Sequence, residues 1–181
     1  EKEEFQLNFV RLDIVELLKE NFILFEDLSL NRNLNYQLIT DKSFFEVYAD
    51  KEALNKILSN LIENAIKYSK SKVTVAFESF PTETFFRIKI SNDGEIVPNN
   101  QRELIFEPFY RLNHHKGIYG TGIGLAMVNS LTQLHEGSLS YTDEQDLNNF
   151  ILELPKHHQF EFGSNPKIKS FLKDSEEHIK A

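Results

Sequence analysis

Residues 50–69 have the sequence DKEALNKILSNLIENAIKYS, and this stretch decides the fold. Its apolar residues recur at three- and four-residue steps from Leu54 to Ala65, which is typical of an amphipathic helix with one buried face. Asp50 is a suitable N-cap, because its carboxylate can accept hydrogen bonds from the free amides of the first helical turn. We therefore predict a long helix that begins after Asp50 and runs to about Ser69.

A second face of this helix carries Asn60, Asn64 and Lys67, which lie within about 60° of one another at helical spacing. Asn competes for backbone hydrogen bonds in the middle of a helix, so two Asn residues one turn apart call for a reason. Amide oxygens are hard ligands suited to Mg²⁺, and a Lys side chain offers a point charge to phosphate. This face predicts a site for Mg²⁺ and phosphate groups, with a solvated helix face as the alternative.

The few glycines of the chain are concentrated in one segment. Four of the seven lie within residues 117–124, which have the sequence GIYGTGIG and lead into a helical pattern that is stopped by Gly137. Glycines let backbone amides approach a ligand closely, and the start of a helix favours an anion. The segment lacks the Gly-Lys pair of a P-loop and the preceding strand of a dinucleotide-binding fold. It predicts a phosphate-binding loop of another class, or else a flexible loop before a capped helix.

The remaining elements place these two features in one domain. We predict a helix over residues 11–28, strands over 35–39, 44–48, 138–141 and 150–154, and a hairpin made of 73–77 and 86–90. Strands outnumber helices and the hairpin pairs antiparallel, so the expected fold class is α+β, a two-layer sandwich with helices on one face of a mixed sheet. We assign this domain to residues 1–155, and the polar residues 156–181 to a tail or a linker to a following module.

The composition excludes several classes of protein. The 181 residues include no Cys, so a disulfide framework and a thiolate metal site are excluded. No apolar run approaches the roughly 18 residues that span a bilayer, and a net charge of −8 argues against a nucleic-acid partner. Residues 50–72 nevertheless hold five bases and three acids, so a small polyanionic ligand is not excluded. The first residues, which begin with Glu1 rather than Met, do not show the pattern of a signal peptide, and we expect the chain to be a fragment of a longer protein.

Four blocks of sequence follow one another along the chain: residues 60–69 (NLIENAIKYS), 92–98 (NDGEIVP), 106–111 (FEPFYR) and 120–125 (GTGIGL). In this order they resemble the N, G1, F and G2 boxes of the ATP-binding catalytic domain of two-component sensor histidine kinases. Residues 150–155 also resemble the final strand of that family, and the resemblance covers about residues 5–155. It implies the Bergerat (GHKL-type) ATP-binding fold with three main helices, in which ATP lies between the helix of the first block and a lid formed by residues 106–120.

The resemblance also implies roles for individual residues. Asn64 would be the Mg²⁺ ligand, Asn60 would orient the water shell of the metal or the γ-phosphate, and Lys67 would contact phosphates. Asn60 and Lys67 would thus serve in catalysis, and Tyr68 would pack on the adenine. The family usually has Asp where this chain has Asn92, whose amide oxygen can accept a hydrogen bond from the adenine amine without help from a charge.

Further contacts of ATP are implied in the other blocks. Gly94 would retain a close backbone approach, while Ile96 replaces the second glycine of its block. The lid would carry positive charge on Arg111, His114, His115 and Lys116, with a plain surface loop as the alternative for the two histidines. The predicted nucleotide-binding set is completed by Tyr110, Arg111, Gly120, Thr121, Gly122, Ile123, Gly124 and Leu125.

The activity that the resemblance implies is transfer of the γ-phosphoryl group of ATP to a histidine on a separate dimerisation domain, with a response regulator downstream. No histidine of the chain shows the phosphoacceptor pattern, and His135 ends a helix. We therefore expect the chain to bind Mg-ATP without autophosphorylating, and to be a monomer while the full-length kinase is a homodimer. We expect it to be cytoplasmic, alone or as part of a membrane-anchored sensor, and to make no direct membrane contact.

Three alternatives remain open. A gyrase-, chaperone- or mismatch-repair-like ATPase would need a Glu as general base where this chain has Asn60. An anti-sigma-type serine kinase of the same fold is usually shorter and lacks so complete an F block. A degenerate docking module without catalysis is supported by Asn92 and Ile96.

Overall fold

The computed structural model describes residues 7–80, 82–112 and 120–156. Within them the chain forms seven strands: β1 (Phe9–Asp13), β2 (Asn35–Ile39), β3 (Glu46–Asp50), β4 (Lys72–Ser79), β5 (Phe85–Asn92), β6 (Ser138–Thr142) and β7 (Asn148–Pro155). The α-helices are α1 (Ile14–Leu24), α2 (Glu26–Asn31), α3 (Lys51–Tyr68) and α4 (Gly124–Leu134). Short 3₁₀ turns lie at Asn99–Gln101, Leu104–Phe106 and Glu144–Asp146.

The strands build one five-stranded mixed sheet and a separate two-stranded sheet, β1-β3. The larger sheet has the order β2-β4-β5-β7-β6, in which β2 and β4 are parallel and all other neighbours are antiparallel. Alternate residues of β4, β5 and β7 are buried, and the register aligns Val75 with Ile90 and Ile90 with Phe150. Helix α3 packs on β4 and β5 and against α1 and α4. The predicted α+β sandwich on a mixed sheet is confirmed.

Helix α3 forms where the sequence predicts it. Asp50 is the N-cap, with Oδ1 accepting a hydrogen bond from the amide of Ala53 at 2.9 Å and Oδ2 one from the amide of Asn8 at 2.6 Å. Burial raises the pKa of Asp50, but these backbone hydrogen bonds outweigh it and hold the pKa below its usual value. The apolar face is fully buried, so it fixes the orientation of the opposite, polar face.

The predicted helix over residues 11–28 is wrong at its start and near its end. Residues 9–13 form β1, which pairs with β3, and α1 begins only at Ile14. Asp13 Oδ1 both caps α1, through the amide of Val15 at 3.0 Å, and binds the amide of Phe45 at 2.9 Å. The helix then stops at Leu24 and the short α2 follows. Helical periodicity cannot reveal a strand whose partner lies far along the chain.

Two smaller differences concern β3 and the end of α4. The strand predicted over 44–48 begins and ends two residues later, because its pairing with β1 buries Val47 and Ala49. Helix α4 ends at Leu134, and Glu136 rather than Gly137 takes the left-handed conformation, with φ 56°. Gly137 is required for another reason, since a Cβ there would collide with the carbonyl oxygen of Glu153 on β7.

The predicted tail, residues 156–181, lies outside the described residues except for Lys156, whose backbone amide donates to the carbonyl of Thr84 at 2.8 Å. The domain boundary at residue 155 therefore stays a prediction. None of the described helices is both long enough and apolar enough to cross a bilayer.

Candidate functional site

A cavity of about 520 Å³ lies between α3, the end of β5 and the start of α4. Thirteen of the fifteen residues predicted to bind nucleotide line it: Asn60, Asn64, Lys67, Tyr68, Asn92, Tyr110, Arg111, Gly120, Thr121, Gly122, Ile123, Gly124 and Leu125. The two others, Gly94 and Ile96, do not line it. Segments that are 60 residues apart in sequence thus meet at one cavity, while the function of each residue stays a prediction.

The open part of the cavity is formed by the polar face of α3, Asn60, Asn64 and Lys67, which are all partly exposed. Asn60 Nδ2 donates to the carbonyl oxygen of Lys56 at 2.8 Å, one turn earlier, and this bond sets the orientation of the amide. The side chain of Asn64 makes no hydrogen bond within the part of the chain that the structure describes. Its amide is therefore available to a ligand.

The glycine segment approaches this polar face so closely that a Cβ on Gly120 or Gly124 would fit only if the facing side chain moved. A Cβ on Gly124 would lie 2.8 Å from Asn60 Oδ1, and one on Gly120 would lie 2.9 Å from Lys67 Nζ. Gly122 has φ +74°, a conformation that other residues rarely adopt, and its carbonyl accepts a hydrogen bond from the amide of Phe109 at 2.9 Å. Helix α4 starts at Gly124 without a side-chain cap, so its first amides are left for an anion.

The charges around the cavity balance among the described lining residues. Lys67 and Arg111 supply two positive charges, and Glu63 and Glu95 supply two negative charges. The ammonium of Lys67 also lies 5.3 Å from the centre of the Tyr68 ring. The predicted contributions of His114, His115 and Lys116 lie outside the described residues. A polyanionic ligand would therefore need a metal ion to offset part of its charge.

The buried part of the cavity is mainly apolar and contains one predicted polar residue, Asn92. Val97, Ile105 and Phe150 line it and are 5–8% exposed, while Asn92 is 3% exposed. Asn92 Oδ1 accepts two hydrogen bonds, from the amide of Gly94 at 3.0 Å and from Asn148 Nδ2 at 3.2 Å. The oxygen that was expected to receive a hydrogen bond from a base is thus already occupied by the protein.

Asn148 is a lining residue that the sequence analysis missed. It opens β7 two residues before the strand predicted over 150–154, and it pairs with Asn92 on β5. Its Nδ2 also donates to the carbonyl of Glu95 at 3.2 Å, and its Oδ1 accepts from the hydroxyl of Tyr141 at 2.6 Å. The signal that could have found it is the pair of successive asparagines, Asn148 and Asn149, at the start of a strand, because buried amides need hydrogen-bond partners.

The ends of α3 and β5 are tied together beside the cavity by Asp93 and Gly94. The carboxylate of Asp93 accepts hydrogen bonds from the backbone amides of Lys70, Ser71 and Lys72 at 2.9–3.0 Å and from Ser71 Oγ at 2.6 Å. Burial raises the pKa of Asp93, but these hydrogen bonds hold it far below its usual value. Gly94 is buried so tightly that a Cβ would collide with the carbonyl oxygen of Tyr68. The close approach of the Gly94 backbone is therefore an approach to the end of α3.

Comparisons with known proteins agree with this architecture. A sequence model of the family described as histidine kinase-, DNA gyrase B-, and HSP90-like ATPase matches residues 49–158. The sensor histidine kinase HprS of Escherichia coli (strain K12) is 33% identical over 151 residues, which cover 81% of this chain and 32% of that protein. The chain thus spans about a third of the length of this curated relative.

Solved structures show the same fold. The catalytic domain of histidine kinase ThkA has a TM-score of 0.75 and 28% identity, covering 83% of this chain and 99% of that domain. A complex of ThkA with the response regulator protein TrrA superimposes with a TM-score of 0.73 and 27% identity, covering 85% of this chain and 43% of the kinase. The chain therefore belongs to the histidine kinase-, DNA gyrase B-, and HSP90-like ATPase family, as a catalytic domain of the sensor histidine kinase type.

Proposed function

We propose that the cavity binds ATP with Mg²⁺, and that the domain donates the γ-phosphoryl group to a histidine on a separate segment of the kinase. The observation that carries the proposal is the approach of bare glycine backbone, at Gly120 and Gly124, to the side chains of Lys67 and Asn60. Such a cradle leaves space and backbone amides for phosphate groups beside a cation and two amide oxygens. The apolar buried part next to it has room for a base.

The residues of the open part fit Mg²⁺ as a partner of the triphosphate. Asn64 offers an amide without a hydrogen bond to any described residue, and Asn60 lies one turn away. No group of three or more His, Cys, Asp or Glu side chains suited to a metal occurs among the described residues. Mg²⁺ would therefore arrive with the phosphates, keep several waters, and neutralise charge on the transferred group. We assign Asn64 as its protein ligand and Asn60 as the residue that orients its water shell.

The chemistry supported by these side chains is phosphoryl transfer, in which positioning and charge neutralisation do most of the catalysis. Lys67 would contact the phosphates, and Arg111 would add charge from the segment before α4. An ATPase of the same fold needs a general base for water, and the amide of Asn60 cannot accept a proton. This argues for donation to an acceptor that enters from outside the domain.

His135 is the only histidine among the described residues, and its environment makes it unsuitable as the acceptor. It is fully buried, with Nδ1 bonded to the carbonyl of Leu131 at 2.8 Å and Nε2 accepting from the amide of Asp50 at 3.2 Å. Burial lowers the pKa of His135, which keeps the ring neutral. We propose that the acceptor histidine lies on a dimerisation domain and that a response regulator receives the phosphoryl group, as the ThkA–TrrA complex suggests for this class.

Calorimetric titration with Mg-AMP-PNP tests nucleotide binding. We expect saturable binding that Asn64→Ala weakens at least about tenfold, because the metal loses its protein ligand. Asn129→Ala is the matched control, since Asn129 lies on α4 and does not line the cavity. No heat at millimolar nucleotide would refute the proposal and favour the docking module.

Phosphoryl transfer is tested separately. The domain is mixed with Mg-ATP carrying a labelled γ-phosphate and with a purified dimerisation domain of a sensor histidine kinase. We expect acid-labile label on the added domain and none on this chain. A stable phosphohistidine on this chain alone would contradict the separate acceptor.

A further inference from the structure

We infer that the buried part of the cavity presents a hydrogen-bond donor, Asn92 Nδ2, to the base, so that it accepts purines with an oxygen at C6 at least as well as adenine. The inference rests on the proposed binding of a nucleoside triphosphate and adds the class of base. Its basis is the hydrogen-bond network that fixes which way the amide of Asn92 faces.

The orientation of the Asn92 amide is set by a backbone group. The amide of Gly94 can only donate, and it lies 3.0 Å from Oδ1, so the atom at that position must be the oxygen. Asn148 Nδ2 donates to the same oxygen at 3.2 Å. Both acceptor sites of the oxygen are thus used by the protein.

The orientation of Asn148 is set in the same way. Its Nδ2 lies 3.2 Å from the carbonyl oxygen of Glu95, which can only accept. Its Oδ1 lies 2.6 Å from the hydroxyl of Tyr141, and that hydroxyl already accepts from the amide of Val97 at 3.1 Å. The single hydroxyl proton of Tyr141 is therefore directed at Asn148. Both amides are anchored by main-chain groups, and turning Asn92 over would place its NH₂ against two donors.

The group that Asn92 leaves for a ligand is consequently its NH₂. Nδ2 makes no hydrogen bond to any residue that the structure describes, and Asn92 lines the cavity. Asn148 has no further group to offer, because both of its amide hydrogens and its oxygen are engaged. The neighbouring side chains Val97, Ile105 and Phe150 are apolar. A base that enters here meets a donor in apolar surroundings.

A donor discriminates between purines by the group at C6. With the triphosphate in the open part, the base edge farthest from the ribose reaches the buried part. At C6, adenine has a donor, its amine, whereas guanine and hypoxanthine have an acceptor oxygen; at the neighbouring N1 the roles are reversed, so the inference places C6 rather than N1 against Asn92 Nδ2. Two facing donors in a buried site leave both without a partner, which is unfavourable. An acceptor at residue 92 would select adenine. The donor present here therefore shifts the preference towards 6-oxopurine nucleotides.

Binding of four Mg-nucleotides to the unmodified protein is the first test: ATP, ITP, GTP and purine riboside triphosphate, which has no group at C6. We expect ITP to bind at least as tightly as ATP, and purine riboside triphosphate to bind no more weakly than ATP. GTP reports whether the 2-amino group is tolerated. ATP binding about tenfold tighter than ITP would overturn the inference.

Asn92→Asp is the second test, because Asp has the same shape and its carboxylate can still accept from Gly94 and Asn148. The substitution turns the remaining donor into an acceptor. We expect the ratio of ITP to ATP affinity to fall at least about tenfold. Asn100→Asp is the control, since it adds the same charge at an exposed position of the following loop, and it should leave the ratio unchanged.

The outcomes separate this inference from the proposed function. If no nucleotide binds the unmodified protein, the proposed function fails and the inference fails with it. If nucleotides bind with a clear preference for ATP, or if Asn92→Asp leaves the ratio unchanged while its melting curve shows a folded protein, the inference alone fails. The measurements on the unmodified protein do not depend on whether the variant folds.

Discussion

The two parts of the cavity are held in place by different means. In the open part, Asn60, Asn64 and Lys67 project from α3, and the buried apolar face of that helix fixes their direction. In the buried part, Asn92 belongs to a hydrogen-bond network that joins β5, β7 and the loop after β5. The side chains of the open part can therefore change without unfolding the domain, whereas those of the buried part support the fold as well as the ligand.

This difference separates binding from stability. A substitution in the open part should alter nucleotide affinity and leave the free energy of unfolding unchanged. A substitution in the buried part should lower the free energy of unfolding even when no ligand is present. Four substitutions test this division, and their expected effects decrease in the order in which they follow.

Asn148→Ala should have the largest effect. It removes one of the two donors to the Asn92 oxygen, the acceptor of the Tyr141 hydroxyl proton and a donor to the Glu95 carbonyl, in a site that is 4% exposed. Buried polar groups left without a partner cost about 1–3 kcal/mol, so the free energy of unfolding should fall by about 2 kcal/mol. Urea denaturation without nucleotide measures it. Asn100→Ala, at an exposed position, is the control, and an equal effect of both would contradict the structural role of Asn148.

Gly124→Ala should weaken binding without destabilising the domain. Gly124 begins α4 with ordinary helical geometry, where Ala is favourable, but the new Cβ would lie 2.8 Å from Asn60 Oδ1. The short side chain of Asn60 must turn away and lose its bond to Lys56. We expect an affinity for Mg-AMP-PNP lower by about tenfold with an unchanged urea midpoint. A lower midpoint would show that the open part also supports the fold.

Asp93→Asn tests the connection between the two parts. The carboxylate accepts three backbone hydrogen bonds and one from Ser71 Oγ, and an amide can supply only one accepting oxygen. Because Asp93 is partly exposed, water weakens these interactions, and we expect the free energy of unfolding at pH 7 to fall by about 1 kcal/mol, as measured by urea denaturation.

The pH dependence of stability identifies the same carboxylate. The pKa of Asp93 is lower in the folded protein than its usual value near 3.8, so the unfolded chain binds the proton first as the pH falls. The stabilisation is fully present above about pH 4 to 5 and is lost progressively below it. Asp93→Asn should flatten this part of the profile, measured by urea denaturation between pH 3 and 7. An unchanged slope would show that other carboxylates cause the acid loss.

Sequence patterns were sufficient to place Asn60, Asn64 and Lys67 on one helix face, because this information is local. The spacing of apolar residues along α3 and the cap at Asp50 predict the helix, and the helix then places Asn60 and Asn64 on one face. Alternation predicts the hairpin of β4 and β5 equally well. Both patterns, helical spacing and strand alternation, can be recognised from residues that lie close together in the sequence.

The buried part could not be predicted in the same way because its contacts are non-local. The sequence shows that residue 92 is an amide, but the atom that faces the cavity is decided by Gly94 and by Asn148, which is 56 residues away. Strand β1 was missed for the same reason, since its last residues continue the helical spacing of α1 and only pairing with β3 makes them a strand.

Gly120→Ala should have the smallest effect and completes the comparison within the open part. The new Cβ would lie 2.9 Å from Lys67 Nζ, which ends a flexible four-carbon stem and can move aside at little cost. We expect the affinity for Mg-AMP-PNP to fall by less than about threefold, as measured by calorimetry. The same change in the same segment thus meets a movable side chain at Gly120 and a short one at Gly124. If both variants lose equal affinity, the glycines act through their backbone amides, and the orientation of Asn60 is not what Gly124 protects.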